Sequence, residues 1–394
     1  MQNSLAPDFF DLPPITKEVV SGRLRANMDM LKEQSVQEHT LYKKWKYLQD
    51  QYSKHPNVSE MVKAQIWTPA DINDQQRTVD EINALRPTLR YVPSRAVDPQ
   101  SYDTWFTLKL FLSSFNPTMP PGRVMNFILV DEVTGKYLAV STLASDVINL
   151  GVRDTWVGWT KENKLTDGKL QCSPTAHMVI STQPFGYNFL GGKLLASMLL
   201  TRYPRELWKE HTSTPLVGMG TTSLYGASSQ YNGIPYWKTL GETKGKIMLT
   251  PDKEIYDECK PWIEHLPEYK KIAENTGGPI PGLKNKLVMM IFKEMGLKVS
   301  DYQHGFPRGV HRAKLYTNGR EFLRSEIEES ALILNPRLES DVDGVVDWWR
   351  PKALRRYVKL HETDRLKPEI MYYNDLIGMS WNEARDTYLH EVGR

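Results

Sequence analysis

The stretch from His177 to Tyr203, HMVISTQPFGYNFLGGKLLASMLLTRY, constrains the fold more than any other. A β-prone run, His177 to Thr182, passes through a turn holding Pro184 and Gly186 and enters an apolar helix at Asn188-Phe189-Leu190-Gly191-Gly192-Lys193. Leu190, Leu194, Leu195, Met198 and Leu199 recur at helical spacing, so one face is buried, and the helix should end near Pro204. Two glycines fall where a helix N-terminus presents N–H groups that have no intrahelical acceptor. Glycine lets a ligand approach the backbone, and the helix dipole favours negative charge there. Strand, glycine turn and helix N-terminus together can hold a pyrophosphate. Close helix packing is the plainer use of the same two glycines.

Around this stretch the pattern reads as an α/β lobe. Asn126–Val130 and Tyr137–Ser141 are nearly continuous apolar runs around the short polar loop Asp131–Lys136, which is a β-hairpin covered on both faces. Gly151–Trp159 and the polar loop Thr160–Lys169 precede the organising stretch. Pro215–Gly220 follows it as a buried strand, and Trp237–Lys246 leads to a last short strand. Strand character begins near Tyr102, although Trp105–Leu112 is poor in β-branched residues and compatible with helix or strand.

The flanks read as mainly helical. Thr16–Tyr52 carries helical periodicity, with Lys43, Lys44 and Lys46 on a solvated face or against an acidic partner, and a polar helix fits Asp74–Leu85. Lys260–Ala273 and Lys284–Met295 are amphipathic, Thr276–Gly282 is a loop, and Ser380-Trp381-Asn382-Glu383 is a capping box. With 394 residues the chain is too long for one ordinary core. The division expected is a helical region 1–100, an α/β core 101–252 and a mainly helical region 253–394.

Composition excludes several classes. A net charge of +3 does not announce a nucleic-acid binder. Cys172 and Cys259 alone make neither a disulfide framework nor a zinc site, which fits a reducing cytoplasm. The opening MQNSLAPDFFDLPP lacks the features of a signal peptide, and no apolar run approaches the roughly 20 residues of a membrane span.

The order of hairpin, strand, glycine turn, helix, strand and aromatic–Leu–Gly segment resembles the core of the GNAT acyltransferases. There the pyrophosphate of acyl-CoA lies on a helix start read as Gln/Arg-x-x-Gly-x-Gly/Ala. Here Gly191 matches the middle glycine, while Asn188 and Lys193 stand at the outer positions. Three segments are similar to a narrower family. They are RDTWVGW (Arg153–Trp159), Asn188 with Gly192-Lys193-Leu194-Leu195-Ala196, and Trp237-x-x-Leu240-Gly241-Glu242-Thr243-Lys244-Gly245. They resemble the A-protein family of the Druantia anti-phage system and, more loosely, the phage Mom proteins, GNAT-like modifiers of adenine in DNA.

The resemblance implies a GNAT-like mixed central sheet flanked by helices. It implies a phage-related transferase, working in the host cytoplasm, that modifies nucleic-acid bases or acts in phage–host DNA conflict. An acyl-CoA or related phosphate-bearing donor would rest on Asn188, Leu190, Gly191, Gly192 and Lys193. Such transfer needs a base and often an acid. Asp154 is the base candidate, in the tryptophan-rich segment on the strand side facing the cleft of a GNAT-like core; its alternative is an ion pair with Arg153. The family's acidic Tyr position is Trp237 here, so Tyr231 and Tyr236 are the acid candidates. Glu242 fits a loop cap and His177 a core histidine, while Tyr225 and Tyr231 fit either base stacking or packing. Arg308, Arg312, Lys314, Arg350, Arg355 and Arg356 could meet nucleic-acid phosphates, with Lys352 and Lys359 completing the Arg350–Lys359 cluster. The competing expectation is a non-enzymatic DNA- or protein-binding protein on the same core.

Overall fold

The computed structural model describes residues 16–52, 62–113, 120, 122–223, 229–275, 280, 282–368 and 376–389. The N-terminal leader, Tyr225 and most of the Thr276–Gly282 loop fall outside them. Along the chain run helices α1 (Lys17–Glu33), α2 (Val36–Tyr52) and α3 (Gln75–Ala84), strand β1 (Pro87–Val92), and helix α4 (Pro99–Leu112). Strands β2 (Val124–Asp131) and β3 (Tyr137–Ala144), helix α5 (Gly151–Val157) and strand β4 (Thr175–Ser181) follow. Next come helices α6 (Phe185–Phe189), α7 (Gly191–Met198) and α8 (Arg202–Thr212), and strands β5 (Gly218–Ser223), β6 (Trp237–Glu242) and β7 (Lys246–Met248). Helices α9 (Lys253–Cys259), α10 (Pro267–Ala273) and α11 (Leu283–Glu294) lead to β8 (Gln303–Gly305) and β9 (Gly309–Lys314). Helices α12 (Asp341–Glu362) and α13 (Trp381–Tyr388) close the chain.

Two compact units result. The smaller joins 1–36 to 246–305, the larger joins 37–245 to 306–394. In the smaller, Val20, Leu24, Met28 and Leu31 line the buried stripe of α1, and Val288, Ile291 and Phe292 that of α11. Asn27 and Asp252 exchange hydrogen bonds at 2.8 and 3.1 Å.

The larger unit is built on a mixed seven-stranded sheet in the order β1-β2-β3-β4-β5-β9-β6. Pairing is antiparallel except between β4 and β5. Helices cover both faces, as the unbroken apolarity of β2 and β3 requires. Phe127 and Leu129 join a core with α6, α7 and α12, whereas Ile128 and Val130 join another with α2 and α4. The sheet extends past 101–252 at both ends, since β1 and β9 come from the flanks.

Several expectations change. Residues from Tyr102 form a helix, because Asp98 caps it and Pro99 fits its first turn. The apolar stretch after β4 is not one helix from Asn188: α6 occupies the expected turn, and Leu190, left-handed at φ 57°, breaks it from α7. Pro204 sits in the first turn of α8 and ends nothing, since a proline there forfeits no helix bond. The segment Gly151–Val157, with Asp154, is a helix. Lys260–Ala273 is interrupted by a 3-10 turn at Pro261 and restarts at Pro267. Trp237–Glu242 is itself a strand. Lys44 is not on a solvated face: it is buried and donates to the Leu110 carbonyl. Burial, with the nearby Lys109 charge, pulls its pKa down to about 7. The capping box at Ser380 forms as read, and the polar helix expected at Asp74–Leu85 is α3, with Asp74 as its N-cap.

Candidate functional site

Strands β4 and β5 share a single register pair, Thr175 with Gly220, at their starts. Beyond it no ladder pair joins them; Thr221 Oγ1 donates to the Ala176 carbonyl at 2.8 Å, and the break in the ladder toward their carboxyl ends is a crevice filled by side chains, in the place where open α/β sheets bind ligands. The start of α7 borders it. A Cβ on Gly191 would stand 2.4 Å from the Phe185 ring and 2.8 Å from Ser181 Oγ; one on Gly192 would stand 1.9 Å from Gln230 Oε1. Gly191 is therefore required for close approach, whereas at Gly192 only the end of the flexible Gln230 side chain stands in the way. Ser181, the last residue of β4, is buried, and among the described residues its Oγ has no hydrogen-bond partner. Gln230 crosses the gap: its Nε2 donates to the Val179 carbonyl at 2.9 Å, while its Oε1 lies over Gly192.

Cations gather at this helix start. Lys193 donates to the carbonyls of Gln230, at 3.1 Å, and Asn232. Burial and the charge of Arg356 lower its pKa. The Arg356 guanidinium and the Lys367 ammonium lie 4.8 and 5.0 Å from the Tyr187 ring centre. Asn188 is fully buried; its amide nitrogen donates to the carbonyls of Pro184 and Lys367, and its oxygen accepts from the Lys367 N–H at 3.0 Å. Its side chain holds protein to protein, whereas the Gly191–Gly192 backbone, Lys193 and Ser181 border the crevice.

Of the acid candidates, Tyr231 lies by the same crevice but its hydroxyl is inside the core, 3.4 Å from Thr221 Oγ1 and from Gln230 Nε2. Burial raises its pKa against those hydrogen bonds. The Tyr236 hydroxyl donates to the Arg337 carbonyl at 3.2 Å, and burial raises its pKa also.

Asp154 stands elsewhere. Its carboxylate meets Arg153 at 2.6 Å and Lys164 at 2.8 Å. Arg153 also reaches Asp146 Oδ2 at 2.8 Å, off the N–H direction, and Arg312 approaches the same oxygen at 3.7 Å. Burial alone would raise the pKa of Asp154; hydrogen bonds and charge from Lys164 and Arg153 outweigh it and lower it. Adjacent residues of a strand point to opposite faces. On β9, His311 faces Tyr231 at 5.1 Å between ring centres, and Arg312 faces Asp146. The structure therefore puts Asp154 and Tyr231 on opposite faces of the sheet. A carboxylate shared by two cations is also a weak base.

The basic surface divides similarly. Arg312 is an interior residue, donating to Ser173 Oγ at 2.5 Å, with burial bringing its pKa down to about 10. Arg308 is half-buried over the Phe306 ring. Arg350 donates to the Leu85 carbonyl and Arg356 to that of Tyr187. Lys314, Arg355 and Lys359 are exposed. Among the described residues no helix is long and apolar enough to cross a membrane.

Sequence reading missed Ser181, Ser229, Gln230, Thr239 and His311. Ser229 Oγ lies 3.1 Å from His311 Nε2, and Thr239 Oγ1 lies 3.0 Å from His311 Nδ1. A polar residue within the alternation of β9 was the available signal.

No solved structure matches this chain. A Druantia protein DruA of Escherichia coli (strain UMEA 4076-1) is 23% identical over 252 residues, which is 59% of this chain and 61% of that protein. The chain thus spans less than two thirds of that relative's length. The family model described as Druantia protein DruA matches residues 42–325, which run from within α2 past β9 and include the crevice and the Arg153–Asp154 cluster. With most of its length matched, this chain belongs to the DruA family.

Proposed function

We propose that the chain is a Druantia-type anti-phage component whose β4–β5 crevice binds a phosphate-bearing donor, such as an acyl-CoA, and transfers a group to nucleic-acid bases. One observation carries this reading. The Gly191–Gly192 start of α7 has the buried Ser181 hydroxyl against Gly191 and Lys193 beside it, the charge of Arg356 reaches Lys193, and Arg356 and Lys367 lie over the ring of Tyr187 in the preceding helix. A helix start with clustered cations stabilises phosphate. The GNAT-like order of hairpin, strand, glycine turn, helix and strand supports the same reading. The Gln230 side chain fills the space over Gly192, so a ligand entering there displaces it.

A second reading has its own support. Asp154 lies across the sheet from the crevice, and the hydroxyls of Tyr231 and Tyr236 are engaged within the protein. This favours a binding protein that keeps the core without its expected acid and base, meeting nucleic acid through Lys314, Arg355 and Lys359.

Thermal unfolding with CoA, acetyl-CoA or a short DNA duplex separates the two. A ligand at about a hundredfold over its Kd adds about 2.7 kcal/mol. The donor site predicts stabilisation by CoA species that Lys193→Ala weakens. Stabilisation by DNA alone, unchanged in Lys193→Ala, rejects the donor site and leaves the binding protein.

A further inference from the structure

His311 is fully buried in the middle of β9, and neither reading above uses it. Register fixes its cross-strand neighbours as Thr221 on β5 and Thr239 on β6. The hydrogen bonds around it form a directed chain. The Thr239 hydroxyl donates to Asn232 Oδ1 at 3.2 Å, which leaves its oxygen to accept from His311 Nδ1 at 3.0 Å. A neutral ring in this arrangement carries its hydrogen on Nδ1, and its lone pair on Nε2 then points to Ser229 Oγ at 3.1 Å. Ser229 Oγ is held from a second side by the Tyr231 N–H at 3.3 Å. The Tyr231 ring packs on the imidazole, and Trp237 packs on Tyr231 at 4.9 Å. Ser229 itself is only half-buried, and its neighbour Gln230 reaches Gly192.

A hydroxyl aimed at a base that a third group orients is the arrangement by which serine becomes a nucleophile. We propose that Ser229 is a catalytic nucleophile activated by His311, with Thr239 as the positioning residue that fixes the imidazole. In the step, Ser229 Oγ bonds to the carbonyl carbon of an acyl thioester while the hydroxyl proton passes to His311 Nε2. The carbon–sulfur bond breaks, and the departing thiolate takes that proton. The acyl-serine then yields its acyl group to the acceptor, whose proton returns through Nε2 to Ser229. The identity of the donor rests on the crevice reading above; activation of the hydroxyl does not.

A fluorophosphonate tests the activation with no natural substrate. Ser229 Oγ displaces fluoride from phosphorus, the Oγ–P bond replaces P–F, and His311 accepts the proton. Intact mass and peptide mapping of the full chain should show one adduct, on Ser229. Ser229→Ala should abolish it. His311→Gln should slow it by about a hundredfold or more, the usual contribution of a general base. Because His311 is buried, Thr239→Val serves as a second variant. It should keep the fold and slow labelling by about tenfold, an effect a purely structural threonine lacks. No adduct on folded wild-type protein, an adduct elsewhere, or His311→Gln and Thr239→Val labelling at the wild-type rate overturns the proposal. Labelling of Ser229 without stabilisation by CoA rejects the donor site and keeps the Ser229–His311 pair; the reverse result keeps the donor site and rejects the pair.

Discussion

The two faces of the sheet solve the burial of polar groups in opposite ways. On the α7 side Ser181, Ser229, Gln230, Thr239 and His311 supply hydroxyls, an amide and an imidazole, and among the described residues Ser181 Oγ has no partner. On the α5 side, Asp146, Asp154, Arg153, Lys164 and Arg312 are ions packed against one another. A buried ion must be paired to be tolerated, and a paired ion has little left to offer a substrate. A neutral hydroxyl or imidazole costs less to bury and keeps its capacity to exchange a proton. The contrast separates a mutually paired ionic cluster on the RDTWVGW side from a cluster of hydroxyls, an amide and an imidazole on the glycine side.

Mutations can break that division, beginning with the largest effect. Arg153→Met leaves Asp146 and Asp154 without their shared cation and should cost about 3–5 kcal/mol in urea unfolding. A loss below about 1 kcal/mol would mean that the cluster is not what holds α5 in place. Next is Gly191→Ala, whose methyl meets the Phe185 ring in the core. It should cost about 2–3 kcal/mol, as overpacking does. Asp154→Asn should cost less, about 1.5 kcal/mol, the worth of a hydrogen bond to a charged group. Its pH dependence is the sharper signature. The folded-state pKa of Asp154 is lowered, so its contribution is complete above the ordinary carboxylate pKa of about 3.9 and fades as pH falls through the depressed value. The stability gap between wild type and Asp154→Asn should therefore be flat from about pH 5 to 7 and close in acid; a gap that widens in acid contradicts the pairing. Gly192→Ala should have the smallest effect, under about 1 kcal/mol, because its methyl displaces only the end of the flexible Gln230 side chain. If Gly192→Ala destabilises as much as Gly191→Ala, Gln230 is a fixed plug and the crevice is closed to ligands.

Local signals were readable wherever a short stretch of sequence decides the outcome. The hairpin of β2 and β3, the strand ending at Ser181, the polar helix starting after Asp74 and the capping box at Ser380 form where their patterns place them. The break at Leu190 was hidden, because leucine ordinarily avoids the left-handed region that only tertiary packing enforces here. Helix α4 was ambiguous because apolar residues occupy all its sides, which erases the period that separates helix from strand. Strand β9 was masked by its charges: Arg312 reads as surface until Asp146, Arg153 and Ser173 surround it.

The site divides along the same line. By itself the sequence determined that a strand, two glycines and a helix start stand together, because neighbours in the chain are bound to be neighbours in space. It also determined the motifs that tie the chain to the DruA family. Only the tertiary structure decided that Asp154 faces away from the crevice, that Tyr231 and Tyr236 are engaged within the protein, and that Ser229 meets a histidine 82 residues further along. Those relations depend on which strands pair, in which register and on which face. β9 enters the sheet between β5 and β6 from the far side of the smaller unit's sequence, and a one-residue slip in its register would exchange His311 for Arg312.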